Sequence, residues 1–251
     1  MIDIHTHILP GVDDGSKSIE MSLEMARQAV QTGVDTIICT PHCMPGIYNN
    51  YASEALEETF QMLRQVFREA GLPVHLRKGM EVLAVRNIGE LIEQKKVWTL
   101  NGSDYLLTEF SFDEDPAYCD EALQEISDKG YTPVIAHPAR YYFVQEDPQI
   151  VYNWYQKGYG IQLNKGSLLG SFGRREKATA DRLMRHGLVT CVASDAHRSN
   201  TRTTRMEELQ EYLAERYGAE YMYMLTEENP QRILDNRRLV GYEPIPFDED
   251  R

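Results

Sequence analysis

Two short patterns place paired donor side chains two residues apart: His5-Thr6-His7, and Asp195-Ala196-His197. In extended backbone such neighbours point to the same side, so each pair can grip one cation. Further groups of the same chemistry stand between them: Asp13, Asp14, His42, Glu81, Glu109 and His137. Mixed nitrogen and oxygen donors suit manganese, iron or zinc, whereas all-oxygen sites suit magnesium or calcium. Clustered carboxylates can bridge two ions at the separation that two-metal hydrolysis requires. Taken singly, each signal is weak. An isolated His-x-His at a strand end is more often not a metal site, Glu109 alone reads as a paired or solvated acid, and His42 alone as a cap or loop residue. Only their joint placement points to a metal centre, and that depends on the elements that carry them.

Short β-rich runs alternate with amphipathic stretches. Strands are predicted over 2–5, 34–40, 74–81, 104–110, 133–137, 159–164 and 188–194. Several are nearly continuous apolar runs, which suits parallel strands buried on both faces. Helical spacing of apolar residues predicts helices over 18–31, 53–70, 116–129, 148–157 and 177–186. Each of these is followed by a glycine able to close it (Gly33, Gly71, Gly130, Gly158, Gly187). A further helix is predicted over 202–217 and a last one near Asn229-Pro230. Recurring helix-Gly-strand units call for a parallel sheet. Seven strands predict a distorted TIM-like (β/α)7 barrel. An open doubly wound sheet competes, but no Gly-rich phosphate loop follows the first strand.

On this map His5 and His7 follow strand one, with Asp13 and Asp14 in the loop beyond. His42 follows strand two, and Glu81, Glu109 and His137 end strands three, four and five. Asp195 and His197 follow strand seven. The carboxyl ends of barrel strands converge on one face, where active sites are built. Five of the seven histidines therefore gather there. His75 starts a strand at the other end, and His186 sits at a helix C-terminus, where positive charge is favoured; both are assigned to structure.

Composition sets the bounds. The chain has 251 residues with 42% hydrophobic and 26% charged content, which suits one domain of barrel size. Residues 1–251 are taken as that domain, with 243–251 as a flexible tail. The formal charge of −13 disfavours nucleic acid, since no Lys/Arg stripe offsets it. Three divalent ions would each add two charges and bring the balance to about −7. No apolar run reaches the length that spans a bilayer, and no secretory pattern opens the chain. Four scattered cysteines read as reduced thiols of a cytoplasmic protein. A cysteine phosphatase needs Arg six residues after the nucleophile. The positions six after Cys39, Cys43, Cys119 and Cys191 are Pro45, Asn49, Glu125 and His197, so that route is disfavoured.

The segments Met1-Ile2-Asp3-Ile4-His5-Thr6-His7, Asp13-Asp14-Gly15, Thr40-Pro41-His42, Gly79-Met80-Glu81, Glu109-Phe110, Ala136-His137-Pro138-Ala139-Arg140-Tyr141 and Ser194-Asp195-Ala196-His197 together resemble the polymerase and histidinol phosphatase (PHP) superfamily. They most resemble its bacterial tyrosine-phosphatase branch, the CpsB/YwqE-type enzymes of capsule and exopolysaccharide loci, from residue 1 to about residue 235. The resemblance implies a PHP fold and two or three divalent ions, usually Mn2+, with iron, zinc, cobalt or magnesium as substitutes. It assigns His5, His7, Glu81 and Asp195 to the first ion, and Glu81, Glu109 and His137 to the second. Asp14, His42 and His197 go to the third, with Asp13 as the alternative to Asp14. It gives Arg140 and Arg202 to substrate phosphate, a role that a guanidinium fork suits. The implied reaction is hydrolysis of phosphotyrosine in protein. The implied partner is the C-terminal tail of a membrane-associated bacterial tyrosine kinase, with no membrane insertion of this chain itself and oligomeric state left open. Histidinol-phosphate phosphatase, another PHP phosphoesterase and a non-catalytic metal-binding module are the competing readings.

Overall fold

The computed structural model describes residues 1–247. Its strands are β1 (Ile2–Thr6), β2 (Thr36–Cys39), β3 (His42–Met44), β4 (Tyr48–Asn49), β5 (His75–Lys78), β6 (Glu81–Leu83), β7 (Tyr105–Glu109), β8 (Thr132–Ala136), β9 (Gly160–Asn164) and β10 (Cys191–Ala193). They form a sheet of order β1-β2-β5 and a second of order β10-β9-β8-β7-β6-β3-β4. Every pairing is parallel except the short β3–β4 hairpin.

The two sheets are arcs of one ring. β3 continues β2 past Pro41, β6 continues β5 past Gly79-Met80, and β2–β5 and β3–β6 are both paired. At the other seam Thr6 bridges to Ala196. There the Asp195 amide donates to the His5 carbonyl, and the His7 amide to the Ala196 carbonyl, both at 2.9 Å. Seven strand positions thus close a distorted TIM-like barrel, with β4 outside the ring.

Some boundaries differ from the sequence expectation. The strand expected over 74–81 is two strands, so Glu81 opens β6 rather than ending its predecessor. His42 opens β3 rather than lying in a loop. Proline carries no N–H for the ladder, and Pro41 breaks β2 from β3. β8 stops at Ala136, and His137 follows with φ 38°. The helix expected from 202 starts at Glu207, because Arg202 takes φ 47°, a conformation no helix accommodates. The helix expected from 177 starts three residues earlier, at Arg174.

Helix starts follow capping chemistry. Ser18 and Ser53 accept from the amides of Met21 and Leu56, and Asp115 accepts from Ala117 ahead of Pro116. In Glu54–Glu69 the buried residues Leu56, Phe60, Leu63 and Phe67 recur at helical spacing, so one stripe faces the barrel.

Strand alternation sorts the core into two apolar groups. Ile2, Ile4, Ile38, Leu107, Val134, Ala136, Cys191 and Ala193 fill the ring, which Leu100 and Ile233 help to close from below. Ile37, Leu106, Ile135, Ile161 and Val192 face the helices. The segment expected as a flexible tail is in contact as far as Phe247. The Ile245 amide donates to the His186 carbonyl, and Phe247 stacks on the His186 ring at 3.9 Å. Asp248 to Arg251 lie outside the described residues.

The β1–β10 seam is pinned by a buried carboxylate. Asp3 accepts from the Ser194 amide at 3.0 Å, the Ser194 hydroxyl and the Thr6 hydroxyl at 2.9 Å. Replacing it strands buried donors, each costing about 1–3 kcal/mol. Asp3→Ala is expected to lower the urea unfolding free energy of the metal-free protein by about 3 kcal/mol with an unchanged m value. A loss below about 1 kcal/mol would show that the seam does not depend on this residue.

Candidate metal centre

The carboxyl ends of the strands bring every sequence-selected donor to one face. The inward positions of β7, β9 and β10 repeat every second residue. Glu109 extends the interior row of β7, Gln162 and Asn164 that of β9, and Asp195 that of β10. All of these side chains are buried.

The tautomers of His5 and His7 decide what their cluster can hold. His5 Nδ1 lies 3.0 Å from the amide oxygen of Gln162, whose nitrogen donates to Asn164 Oδ1 at 2.9 Å. Nδ1 is therefore the protonated nitrogen of the neutral His5 ring. His7 Nδ1 donates to Asp13 Oδ2 at 2.8 Å. When either ring is neutral, its Nε2 is therefore a bare lone pair. These two nitrogens face each other at 3.1 Å. Glu81 Oε2 lies 3.1 and 3.2 Å from them, and Asp195 Oδ1 lies 3.5 Å from each. Four acceptors at such spacings fit donors set about 2.0–2.2 Å from one shared cation. Neutral imidazoles oriented by a carboxylate or an amide oxygen are the usual companions of such an ion.

Two more groups adjoin the first. His42 Nδ1 is 2.8 Å from Glu109 Oε1 and 3.0 Å from Glu81 Oε2. His137 Nε2 is 2.8 Å from Glu81 Oε1 and 3.8 Å from Glu109 Oε2. On the other side Asp14 Oδ1 lies 3.4 Å from Nε2 of both His42 and His197. His197 Nδ1 donates to the Asp195 carbonyl at 3.0 Å, which leaves Nε2 aimed at Asp14. His7 and His42 each stand between two groups, so the donors form one continuous cluster.

Geometry separates Asp13 from Asp14. Asp13 is saturated, accepting from His7, the His42 amide and the Gly15 amide. Asp14 Oδ1 is buried without a hydrogen-bond partner, as are Glu81 Oε2 and His137 Nδ1. Such orphans are costly unless something pairs with them, and a divalent ion fits Asp14 Oδ1 and Glu81 Oε2, which both belong to donor groups able to hold one; His137 turns its other nitrogen, Nε2, to Glu81. Gly15 lets the loop fold back onto His7, since a Cβ there would overlap the His7 backbone and side chain.

The electrostatics agree. Burial disfavours charge on Glu81, yet His5, His42 and His137 hold its carboxyl well below the usual range. Burial likewise opposes the charge on Asp195, and His5, His7 and Arg202 outweigh it. The His42 ring, despite burial, is raised to about 10, chiefly by Glu81. His7, also buried, is raised by Asp13. His197 is lowered to about 4 by burial and the neighbouring His7, and so stays neutral.

Beside the cluster a cavity of about 260 Å³ opens, lined by Arg140, Arg202, Phe112, Met44, Ile47 and Tyr48 among others. Arg202 pairs with Asp195 Oδ2 at 2.5 Å, and Arg140 Nη1 lies 3.9 Å from the same oxygen. Three site residues, His137, Asp195 and Arg202, hold φ values of 38°, 48° and 47°. Strain of this kind persists where the surroundings over-determine it. The Arg202 carbonyl accepts from the His197 amide at 2.9 Å, and Lys165 Nζ donates to the Thr203 and Arg205 carbonyls.

Seven of the nine expected ligands and both arginines line this cavity, and His5 and His7 lie behind it against Glu81 and Asp195. Sequence reasoning missed Gln162 and Asn164, which orient His5 and Asp195, and Arg198, which ties the His197 loop to the carbonyls of Asp14 and Gly15. Two amides alternating along an otherwise apolar strand, Gly160–Asn164, were the available signal. The four cysteines are buried. Burial raises the Cys43 and Cys191 thiols to about 11 and about 12, so neither is a thiolate nucleophile at neutral pH.

The sequence matches, over residues 1–235, the family profile described as "Capsular polysaccharide synthesis, CpsB/CapC". Tyrosine-protein phosphatase YwqE of Bacillus subtilis (strain 168) is 39% identical over 246 residues, which is 98% of this chain and 96% of that protein. Tyrosine-protein phosphatase CpsB of Streptococcus pneumoniae is 32% identical over 239 residues, covering 93% and 98%. A solved structure from work on YwqE and CpsB, described there as metal-dependent tyrosine phosphatases, superimposes with a TM-score of 0.91. Its identity is 38%, and the match covers 98% of this chain and 99% of that one. The lactonase Lmo2620 of Listeria monocytogenes shares the fold alone, with a TM-score of 0.59 at 11% identity. The chain therefore belongs to the CpsB/CapC capsular polysaccharide synthesis family.

Proposed function

We propose that this chain is a metal-dependent protein-tyrosine phosphatase. The observation that carries the reading is the buried, acceptor-only cluster of His5, His7, Glu81 and Asp195 beside two arginines that share a cavity with it. The relatives' activity supports it. His5, His7, Glu81 and Asp195 would hold one ion, Glu81, Glu109 and His137 a second, and Asp14, His42 and His197 a third. Manganese suits these mixed donors. Ions bound there supply Lewis acidity toward phosphoryl oxygens and a water acidic enough to attack at neutral pH.

The chain's own residues do the rest. Arg140 and Arg202 receive the phosphate oxygens in fork geometry. Asp195 aligns them through Oδ2 while its Oδ1 faces the His5 and His7 rings. Met44, Ile47, Tyr48 and Phe112 form a largely apolar rim suited to a tyrosyl ring. The substrate we assign is a phosphotyrosine segment, in particular the tail of a bacterial tyrosine kinase. A cytoplasmic location fits that substrate. Among the described residues no helix is long and apolar enough to cross a membrane.

Prolonged dialysis against EDTA is expected to abolish turnover of a phosphotyrosine peptide, and added Mn2+ to restore it, while thiol alkylation leaves the rate unchanged. Full activity in excess chelator would defeat the metal reading. Among a phosphotyrosine peptide, histidinol phosphate and a phosphodiester, kcat/KM is expected to be highest for the peptide; a preference for either competitor would reassign the substrate.

Loading with metal must also expel protons. Glu81 keeps the His42 ring charged at neutral pH in the metal-free protein, and Asp13 raises the pKa of the buried His7 ring. Their raised values make protons compete with the ion, so affinity falls as pH falls, about tenfold per displaced proton per pH unit. Calorimetry of Mn2+ binding in buffers of different ionisation enthalpy should detect proton release at about pH 7. Binding that is pH-independent and releases none would mean the rings are already neutral.

A further inference from the structure

Four successive barrel loops each contribute one group to a stack over the cavity. Phe112 follows β7, Arg140 follows β8, Phe172 follows β9 and Arg202 follows β10. The Arg140 guanidinium carbon lies 4.4 Å from the Phe112 ring centre and 5.0 Å from that of Phe172. The Arg202 guanidinium carbon lies 5.6 Å from Phe172. One aromatic ring is thus shared by the two cations read here as the phosphate-binding pair, although 62 residues separate them in sequence.

The chain spends structure on keeping that ring in place. Phe172 sits in a turn between Gly170 and Gly173, which have φ 80° and 108°. A Cβ on Gly166 would run into the Phe172 ring, so glycine there is what lets the ring lie down. The Ser171 amide donates to the Gly166 carbonyl at 2.8 Å, and Lys177 Nζ to the Leu168 carbonyl at 2.8 Å. Two guanidiniums facing one carboxylate oxygen repel each other, and each has a long stem free to rotate. A ring face carries partial negative charge, so a single ring between them attracts both and restricts both.

We infer that Phe172 is a positioning residue that holds Arg140 and Arg202 together over the metal cluster for phosphate binding. The inference rests on the assignment of both arginines to phosphate. Phe172→Leu keeps apolar bulk and removes the π face. On the Mn2+-loaded enzyme it is expected to raise the KM for a phosphotyrosine peptide and the Ki of inorganic phosphate about five- to tenfold. Manganese content and kcat should stay near the starting values, and Phe172→Tyr should restore both constants to within about twofold. In an Arg140→Ala background the effect of Phe172→Leu should shrink, because one of its two partners is gone. If Phe172→Leu leaves the phosphate Ki unchanged while Arg140→Ala and Arg202→Ala raise it, the positioning role is wrong and the arginine assignment stands. If both arginine variants leave it unchanged, the arginine assignment fails and takes this inference with it. Loss of bound manganese in Phe172→Leu, with Phe172→Tyr equally impaired, would assign the ring to packing and also overturn it.

Discussion

Lone pairs converge in this barrel whenever its paired histidine rings are neutral. His5 and His7 each commit their Nδ1 hydrogen to a partner behind them, Gln162 and Asp13, and aim bare Nε2 atoms at one another and at two carboxylates. Water could relieve that conflict at a surface, but these side chains are buried. In a low-dielectric interior only positive charge resolves it, as protons on the rings or as metal ions. Much else in the molecule serves to keep the acceptors in place. Asp3 and Ser194 pin the seam from which His5 and Asp195 project. Asn164 fixes Gln162 and Asp195, and Arg198 ties the Asp14 loop to the His197 loop.

The backbone near the site accepts strain that the barrel can hold. His137, Asp195 and Arg202 all take left-handed conformations, in the loops that follow β8 and β10. At His137, which directly follows β8, the turn re-aims a side chain that would otherwise point away from the barrel interior. Rigid strands below and cross-loop hydrogen bonds above supply the restraint that such conformations require.

Fold and chemistry separate cleanly. A lactonase shares the architecture at 11% identity, so the barrel alone specifies no reaction. What distinguishes this site is the division of labour around the cavity. Carboxylates and imidazoles lie deep and concentrate negative charge and lone pairs. Guanidiniums and aromatic rings lie higher, on four consecutive loops, where an anionic group with an aromatic neighbour can meet both.

Strand-helix alternation, the barrel and the donor chemistry were legible in the sequence alone. They were so because hydrophobic period, capping and donor type are local properties, and because strand ends of a parallel barrel must share a face. The sequence did not determine which strands break. Pro41 splits one, and close packing at Gly79 against Ile38 accompanies the break between β5 and β6, a contact that exists only once both strands are paired. Choosing Asp14 over Asp13 required knowing that Asp13 is already consumed by His7, Gly15 and the His42 amide. Gln162, Asn164 and Phe172 were silent for the same reason. An amide or a phenyl ring acquires its role from the neighbour it meets, and those neighbours lie on other barrel strands and loops that only tertiary closure brings within reach.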